Sequence, residues 1–117
     1  MKNLLSALFG IGITELDATA VQAKLKEKPA PLLIDVREQH EFSNGHITHA
    51  RHIPLGALTQ RLRELPHDRE IICVCHSGNR SRAAVSQLVA AGFKAINLRG
   101  GMLGWAQAGL PIQKGAR

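Results

Sequence analysis

The sequence predicts an α/β fold, in which a small, mostly parallel sheet of about five strands carries helices on both faces. Short apolar runs rich in β-branched residues alternate along the chain with segments of helical periodicity. The run at 32–36 is almost wholly apolar, which is typical of a parallel strand buried on both faces. The chain has 117 residues, 44% of them hydrophobic and 21% charged, which are the size and composition of one globular domain.

The first half of the chain alternates predicted strands with predicted helices. Asp17 carries an oxygen that can cap a helix N-terminus, and Gly45 can adopt the backbone conformation that closes a helix. Pro54 cannot donate to a neighbouring strand, so the strand that contains it is expected at an edge of the sheet. The predicted strands are 13–16, 32–36 and 51–55, and the predicted helices are 18–26 and 38–44.

The second half continues this alternation and ends in a helix with Trp105 on its inner face. Before it, a helix marked by Leu58, Leu62 and Leu65 is expected to stop at Pro66. The predicted strands of this half are 70–74 and 94–98, and its other predicted helices are 82–91 and 102–108.

Two terminal segments flank the predicted domain, which covers residues 13–112. Residues 1–12 form an apolar extension that we expect to pack on the domain, with a dimer contact or weak membrane adhesion as alternatives. The apolar residues on one side of its predicted helix are Leu4, Leu5, Leu8 and Phe9. We expect the chain to be a monomer or a weak homodimer. Residues 113–117 form a basic tail that is expected to fray.

Charge and composition argue against several classes of protein. The formal net charge is +6, but Lys and Arg are spread along the chain without a basic helix or aromatic stacking pattern, so no nucleic acid binding is expected. Such a positive field favours small anions instead. No stretch approaches the about 20 apolar residues of a stable membrane span, and no small-x-small cleavage site follows the apolar N-terminus. The spacing of Cys73 and Cys75 does not suit a disulfide framework, which predicts reduced thiols in a cytoplasmic protein.

The candidate site lies in the loop Cys75-His76-Ser77-Gly78-Asn79-Arg80-Ser81, which connects the strand 70–74 to a helix. Backbone N–H groups in such a loop and at a helix N-terminus have no intrahelical partner and bind anions. A thiol held over these donors should have its pKa lowered from about 8.5 towards neutrality. Cys75 is therefore predicted to be a thiolate nucleophile. Asp35 also falls at the carboxyl end of a predicted strand, so it should border the same cleft.

Several short motifs recur along the chain in a specific order. They are Leu33-Ile34-Asp35-Val36-Arg37, Glu41-Phe42, Gly45-His46-Ile47, Ala50 with Ile53-Pro54, the loop from Cys75 to Arg80, Gly100-Gly101, Trp105 and Gly109-Leu110-Pro111. Each motif is weak singly, but their order and spacing are specific. Across residues 13–112 the chain resembles a single-domain rhodanese, a sulfurtransferase of the thiosulfate:cyanide type.

The resemblance implies a small α/β fold and a two-step reaction that needs no metal or organic cofactor. The Cys75 thiolate would take the outer sulfur of thiosulfate, a small anionic donor, and would hold it as a persulfide after sulfite leaves. A thiophilic acceptor, such as cyanide, a thiol or a partner protein, would then remove that sulfur. A sulfur-relay or interaction module that serves one protein partner and turns over little thiosulfate keeps the same loop, so it stays open as an alternative.

The length of the loop separates related chemistries. Phosphatases and arsenate reductases resemble this fold but carry the loop arginine one residue later, at the position of Ser81. The arginine here is Arg80, and the tighter loop favours a sulfur atom over a phosphoryl group. Two-domain rhodaneses typically carry Val-Thr in place of Asn79-Arg80, so the physiological donor and acceptor stay open.

The other loop residues are expected to bind the substrate or shape the loop. Gly78 is expected to supply a positive φ that other residues resist. Arg80 would either bind a sulfonate or persulfide, or turn to an acidic partner and hold the loop. His76 would either face the substrate as a general acid or gatekeeper, or simply be exposed. The predicted substrate-binding residues are His76, Ser77, Gly78, Asn79, Arg80 and Ser81.

Residues outside the loop receive mainly structural predictions. Asp35 and Arg37 are expected to brace the wall of the cleft rather than take part in the chemistry. Cys73 is expected to pack in the core, with a resolving thiol as the alternative. A metal site is not expected from the nearby histidines, because the segment that carries them is not a regular helix. These histidines are His46, His49 and His52.

Overall fold

The computed structural model describes residues 13–116, and the predicted apolar extension at 1–12 lies outside that range. The strands are β1 Glu15–Leu16, β2 Leu32–Asp35, β3 Arg51–His52, β4 Glu70–Val74 and β5 Lys94–Leu98. The α-helices are α1 Ala18–Leu25, α2 Gln39–Asn44, α3 Asn79–Ala90 and α4 Gly101–Gln107, and a 3₁₀ helix covers Leu55–Glu64. Between residues 13 and 116, no helix has the length and apolarity needed to cross a bilayer.

The strands form one parallel sheet in the order β1-β5-β4-β2-β3, which confirms the predicted α/β fold. β3 lies at an edge of the sheet, where the prediction from Pro54 places it. In the register of the sheet, Asp35 lies opposite Val74, and Cys73 lies opposite Asn97. The loops that follow these strands therefore meet at one edge, which is the edge where open α/β sheets bind ligands.

Helices cover both faces of the sheet, each over its own apolar cluster. On one face, the 3₁₀ helix and α3 bury Leu58 and Leu88. On the other face, α1 and α4 bury Val21 and Trp105, so Trp105 has the predicted inward position. Each such side chain stabilises the fold by about 1.5–3 kcal/mol. The two layers together hold the carboxyl edge of the sheet in a fixed shape.

Local sequence signals explain where the helices begin and end. Asp17 accepts a hydrogen bond of 2.9 Å from the Ala20 amide, which confirms the predicted cap of α1. α3 begins at Asn79 rather than at the predicted Arg82, because Gly78 adopts a left-handed conformation with φ 109° and serves as its N-cap. The segment marked by Leu58 is a 3₁₀ helix, in keeping with the low α-helix propensity of its glycine and threonine.

The start of the basic tail is held against the domain. Gln113 and His46 exchange two backbone hydrogen bonds of 2.8 Å in an isolated antiparallel bridge. The Gly115 amide donates to the Ser43 carbonyl at 2.9 Å. The predicted fraying is therefore wrong for this part of the tail, since its backbone groups find partners on and beside α2.

Candidate active site

Cys75 lies directly after β4, beneath the loop that leads into α3. Only 1% of Cys75 is exposed, whereas His76, Ser77 and Asn79 are exposed at the rim. The Gly78 amide turns back and donates to the Cys75 sulfur at 3.1 Å. The loop thus places backbone donors around the sulfur, while His76, Ser77 and Asn79 are exposed.

Ser81 adds a side-chain donor from the first turn of α3. Its hydroxyl is fully buried and lies 3.2 Å from the Cys75 sulfur. Burial raises the pKa of the Cys75 thiol, but the hydrogen bonds from the Ser81 hydroxyl and from the amides of Ser81, Gly78 and Ser77 outweigh burial, so the pKa is lowered. These donors favour the thiolate, which is the direction that the sequence predicts.

The N-terminus of α4 fixes the first peptides of the loop. The Met102 amide donates to the Cys75 carbonyl at 2.8 Å, and the Leu103 amide donates to the His76 carbonyl at 3.1 Å. Since C=O and N–H point in opposite directions in a trans peptide, this anchoring turns the next two loop amides away from α4. A Cβ on Gly101 would lie 2.5 Å from both carbonyl oxygens, so only glycine allows this approach. In the sequence Gly100-Gly101 stands out only as one of the short motifs, and this supporting role is not predicted.

Arg80 pairs with an acidic side chain of α2. Its guanidinium forms two hydrogen bonds of 2.7 Å with the Glu41 carboxylate. Chiefly through the Arg80 hydrogen bond, the pKa of Glu41 is lowered from 4.5 to about 2. The sequence leaves two roles open for Arg80. In this structure Arg80 is paired with an acidic partner. Glu41 appears among the sequence motifs, but its contact with the loop could not be foreseen there.

Asp35 and Arg37 form a buried ion pair at the end of β2. Arg37 Nη2 lies 2.7 Å from Asp35 Oδ2 and also donates to the Gly45 carbonyl at 2.7 Å. The Arg37 backbone amide adds a bond of 3.0 Å to Asp35. These contacts tie the end of the strand to the end of α2.

A second polar group supports the loop from β5 and β1. Asn97 Nδ2 donates to Glu15 Oε2 at 2.7 Å and to the Gly78 carbonyl at 3.3 Å. Glu15 Oε2 also lies 3.1 Å from Arg82 Nη1 on α3. Asn97 and Glu15 are not among the predicted site residues, because only the parallel order of the strands brings them to the loop.

Cys73, His46 and His52 pack against neighbouring side chains. Cys73 is fully buried, and burial raises the pKa of its thiol to about 12, in keeping with core packing. The His46 and His52 rings stack on Phe42, with centroid distances of 3.8 Å and 4.7 Å. Among residues 13–116, no cluster of three or more histidine, cysteine or acidic side chains is placed to hold a metal ion.

Known proteins share both this sequence and this fold. The family model described as the rhodanese-like domain matches residues 17–108. A sulfurtransferase of Allochromatium vinosum is 36% identical over 101 residues, which are 86% of this chain and 94% of that protein. A thiosulfate sulfurtransferase of Vibrio cholerae is 30% identical over 99 residues, covering 84% of this chain and 92% of the relative.

A solved structure agrees with these sequence relatives. The rhodanese-related protein of Thermoplasma volcanium superposes with a TM-score of 0.80 at 30% identity, covering 86% of this chain and 97% of that one. On sequence and fold together, this chain belongs to the rhodanese-like family.

Proposed function

We propose that this protein is a sulfurtransferase that moves a sulfane sulfur from thiosulfate, or a related donor, to a thiophilic acceptor through a persulfide on Cys75. The observation that carries the proposal is the position of the Cys75 sulfur, which accepts hydrogen bonds from the Gly78 amide and the Ser81 hydroxyl. Membership of the rhodanese-like family and the sulfurtransferase names of two relatives support it.

The first step uses the thiolate that these donors favour. The Cys75 thiolate attacks the outer sulfur of thiosulfate, the sulfur–sulfur bond of the donor breaks, and sulfite leaves with the bonding electrons. Cys75 then carries a persulfide whose outer sulfur bears the negative charge. In the second step, the acceptor attacks that outer sulfur and the Cys75 thiolate is restored. With cyanide as acceptor the product is thiocyanate, and charge balances in both steps.

The loop supplies what this reaction needs from the protein. Its backbone donors stabilise negative charge on the cysteine sulfur and on the outer persulfide sulfur, and they require no proton transfer to do so. Ser81 approaches the sulfur from α3, while three other candidate substrate ligands, His76, Ser77 and Asn79, lie at the rim.

Two further features complete the proposal. Both cysteines are free thiols, which suits the reducing conditions of a cytoplasm. The proposed acceptor is a thiol, cyanide or a protein, which would approach Cys75 from the side of the exposed residues His76, Ser77 and Asn79.

The test is intact-mass measurement after incubation with thiosulfate, followed by addition of cyanide. We expect a mass gain of one sulfur atom on Cys75, and then loss of that sulfur with release of thiocyanate. Cys75→Ser should abolish both, and Cys73→Ala should keep both, because Cys73 is buried in the core. Thiocyanate production by Cys75→Ser would refute the proposal. A persulfide that cyanide removes only slowly, together with a trapped mixed disulfide to one protein, would identify the sulfur-relay alternative.

A further inference from the structure

Asn97 lies fully buried on β5, next to the loop but outside it. Its carboxamide nitrogen donates to Glu15 Oε2 at 2.7 Å and to the Gly78 carbonyl at 3.3 Å. A carboxylate and a carbonyl can only accept, so both contacts require the NH₂ end of the amide at this position. The Asn97 Oδ1 atom is buried without a partner among residues 13–116. The carboxamide is thus oriented so that its NH₂ group makes both hydrogen bonds, while its oxygen makes none within residues 13–116.

The Gly78 carbonyl is a point of competition between donors. It accepts the first backbone bond of α3 from the Arg82 amide at 3.2 Å. A carbonyl oxygen has two lone pairs, so one further strong donor can be satisfied there. The Ser81 hydroxyl lies 3.2 Å from that oxygen, and Asn97 Nδ2 lies 3.3 Å from it.

The Ser81 hydroxyl has a single proton and two acceptors at equal distance. It lies 3.2 Å from the Cys75 sulfur and 3.2 Å from the Gly78 oxygen, so it can serve one of them at a time. If the second lone pair of the Gly78 carbonyl were empty, that oxygen would compete with the sulfur for the Ser81 proton. The Asn97 amide occupies that lone pair.

We propose that Asn97 is a positioning residue for the Cys75 nucleophile: its carboxamide satisfies the Gly78 carbonyl and thereby leaves the Ser81 hydroxyl free to donate to the Cys75 sulfur. This inference rests on the proposed function for its purpose. Glu15 and Arg82 support this arrangement. The Glu15 carboxylate orients the Asn97 amide, and Arg82 holds that carboxylate at 3.1 Å. Within the loop itself, the charge of Arg80 also acts on the Cys75 thiolate, and Arg80 is paired with Glu41.

The test follows the pH titration of the Cys75 thiolate by its ultraviolet absorbance, in a Cys73→Ala background and without any sulfur donor. Asn97→Leu removes both hydrogen bonds that Asn97 Nδ2 donates. We expect the midpoint of the Cys75 titration to rise by about one pH unit, which corresponds to the loss of one hydrogen bond to a charged group. An unchanged midpoint would overturn the inference. Ile96→Val is the matched control, because Ile96 is buried in the same strand under the opposite face. It should leave the midpoint where it is.

A double-variant cycle separates this role from a general disturbance of the loop. Ser81→Ala should raise the midpoint alone, and adding Asn97→Leu to Ser81→Ala should raise it no further, since Asn97 acts through the Ser81 proton. A second, additive rise would contradict the inference.

A further variant covers the case in which Asn97→Leu does not fold. Should Asn97→Leu not fold, Asn97→Ser keeps a small polar side chain that is too short to reach the Gly78 carbonyl, and it should raise the midpoint in the same way. The titration uses no sulfur donor, so its result does not depend on whether the protein transfers sulfur from thiosulfate. The two proposals can therefore fail separately.

Discussion

The guanidinium of Arg80 and the carboxylate of Glu41 face each other beside the candidate site, and two nitrogens each lie 2.7 Å from a different oxygen. The contact joins the first turn of α3 to the first turn of α2. It also neutralises the loop arginine, the side chain that would most readily attract a sulfonate. The pair therefore bears on both donor binding and the anchoring of α2.

Glu41→Gln should lower the KM for thiosulfate, because it frees the Arg80 charge for the anionic donor. The side chains of Arg80 and Glu41 are 38% and 23% exposed, so the interaction is partly screened by solvent. We expect a decrease of about two- to fivefold, equivalent to an exposed charge interaction of up to about 1 kcal/mol. Steady-state kinetics with thiosulfate and cyanide would measure it.

Glu38→Gln provides the matched control for that measurement. It removes the same charge from the same end of α2 but leaves the Arg80–Glu41 pair in place, and glutamine can still accept the capping hydrogen bond. Its effect on the KM should be clearly smaller. Equal effects of the two variants would show that overall charge, and not release of Arg80, sets the affinity.

The same ion pair should make stability depend on pH in the acid range. The pKa of Glu41 is lowered from 4.5 to about 2 in the folded protein, chiefly by the Arg80 hydrogen bond. The folded state thus favours the carboxylate, and this contribution is present above pH 4.5 and is lost as the pH falls towards 2. We expect the difference in free energy of unfolding between wild type and Glu41→Gln to shrink across that window. Urea unfolding at a series of pH values would measure it, and a constant difference would count against the pair.

The reactivity of Cys75 should reach its plateau at a lower pH than that of an ordinary cysteine. Burial raises the pKa of this thiol, but the Ser81 and backbone donors outweigh burial and lower it below its ordinary value. Because the thiolate is the nucleophile, the rate of persulfide formation should rise with pH and level off above this lowered pKa. Stopped-flow measurement of sulfite release would follow it. In Ser81→Ala the profile should move to higher pH, and a profile that stays in place would argue that the hydroxyl does not act on the sulfur.

Much of this fold could be predicted because its elements follow local patterns. The strand 94–98 is predicted at the residues that β5 occupies, since Ala95, Ile96 and Leu98 lie there between two glycines. The nucleophile could be predicted for the same reason, because a thiol, a tight loop and a helix start follow one another in the chain. The Asp35–Arg37 pair is also local, with its partners two residues apart.

The supporting contacts could not be predicted, because they depend on the order of the strands. Arg80 and Glu41 are 39 residues apart, and Asn97 and Gly78 are 19 apart. β5 lies between β1 and β4, so the buried amide at its end reaches both Glu15 and the loop. No periodicity or motif spacing carries that information, which arises only when the sheet is assembled.

Gly101→Ala should disable the loop without touching any of its residues. The added Cβ would lie 2.5 Å from the Cys75 and His76 carbonyl oxygens, at a backbone φ of +57° that favours glycine. Since α4 must move away, the loop amides lose the anchoring that directs them towards the sulfur. We expect persulfide formation to slow by about tenfold or more, together with a loss of more than about 2 kcal/mol in the free energy of unfolding.

Gly109→Ala separates the two causes of that loss. Gly109 follows the other end of α4 with φ +72°, but a Cβ there would meet nothing within 4 Å, so alanine brings backbone strain without a clash. It should destabilise the protein by about 1–2 kcal/mol and leave the rate of persulfide formation unchanged. If both variants slowed the reaction equally, the cause would be a general loosening of α4. If only Gly101→Ala slowed the reaction, the two carbonyl contacts would be what holds the loop in its reactive shape. Gly109→Ala leaves those contacts in place.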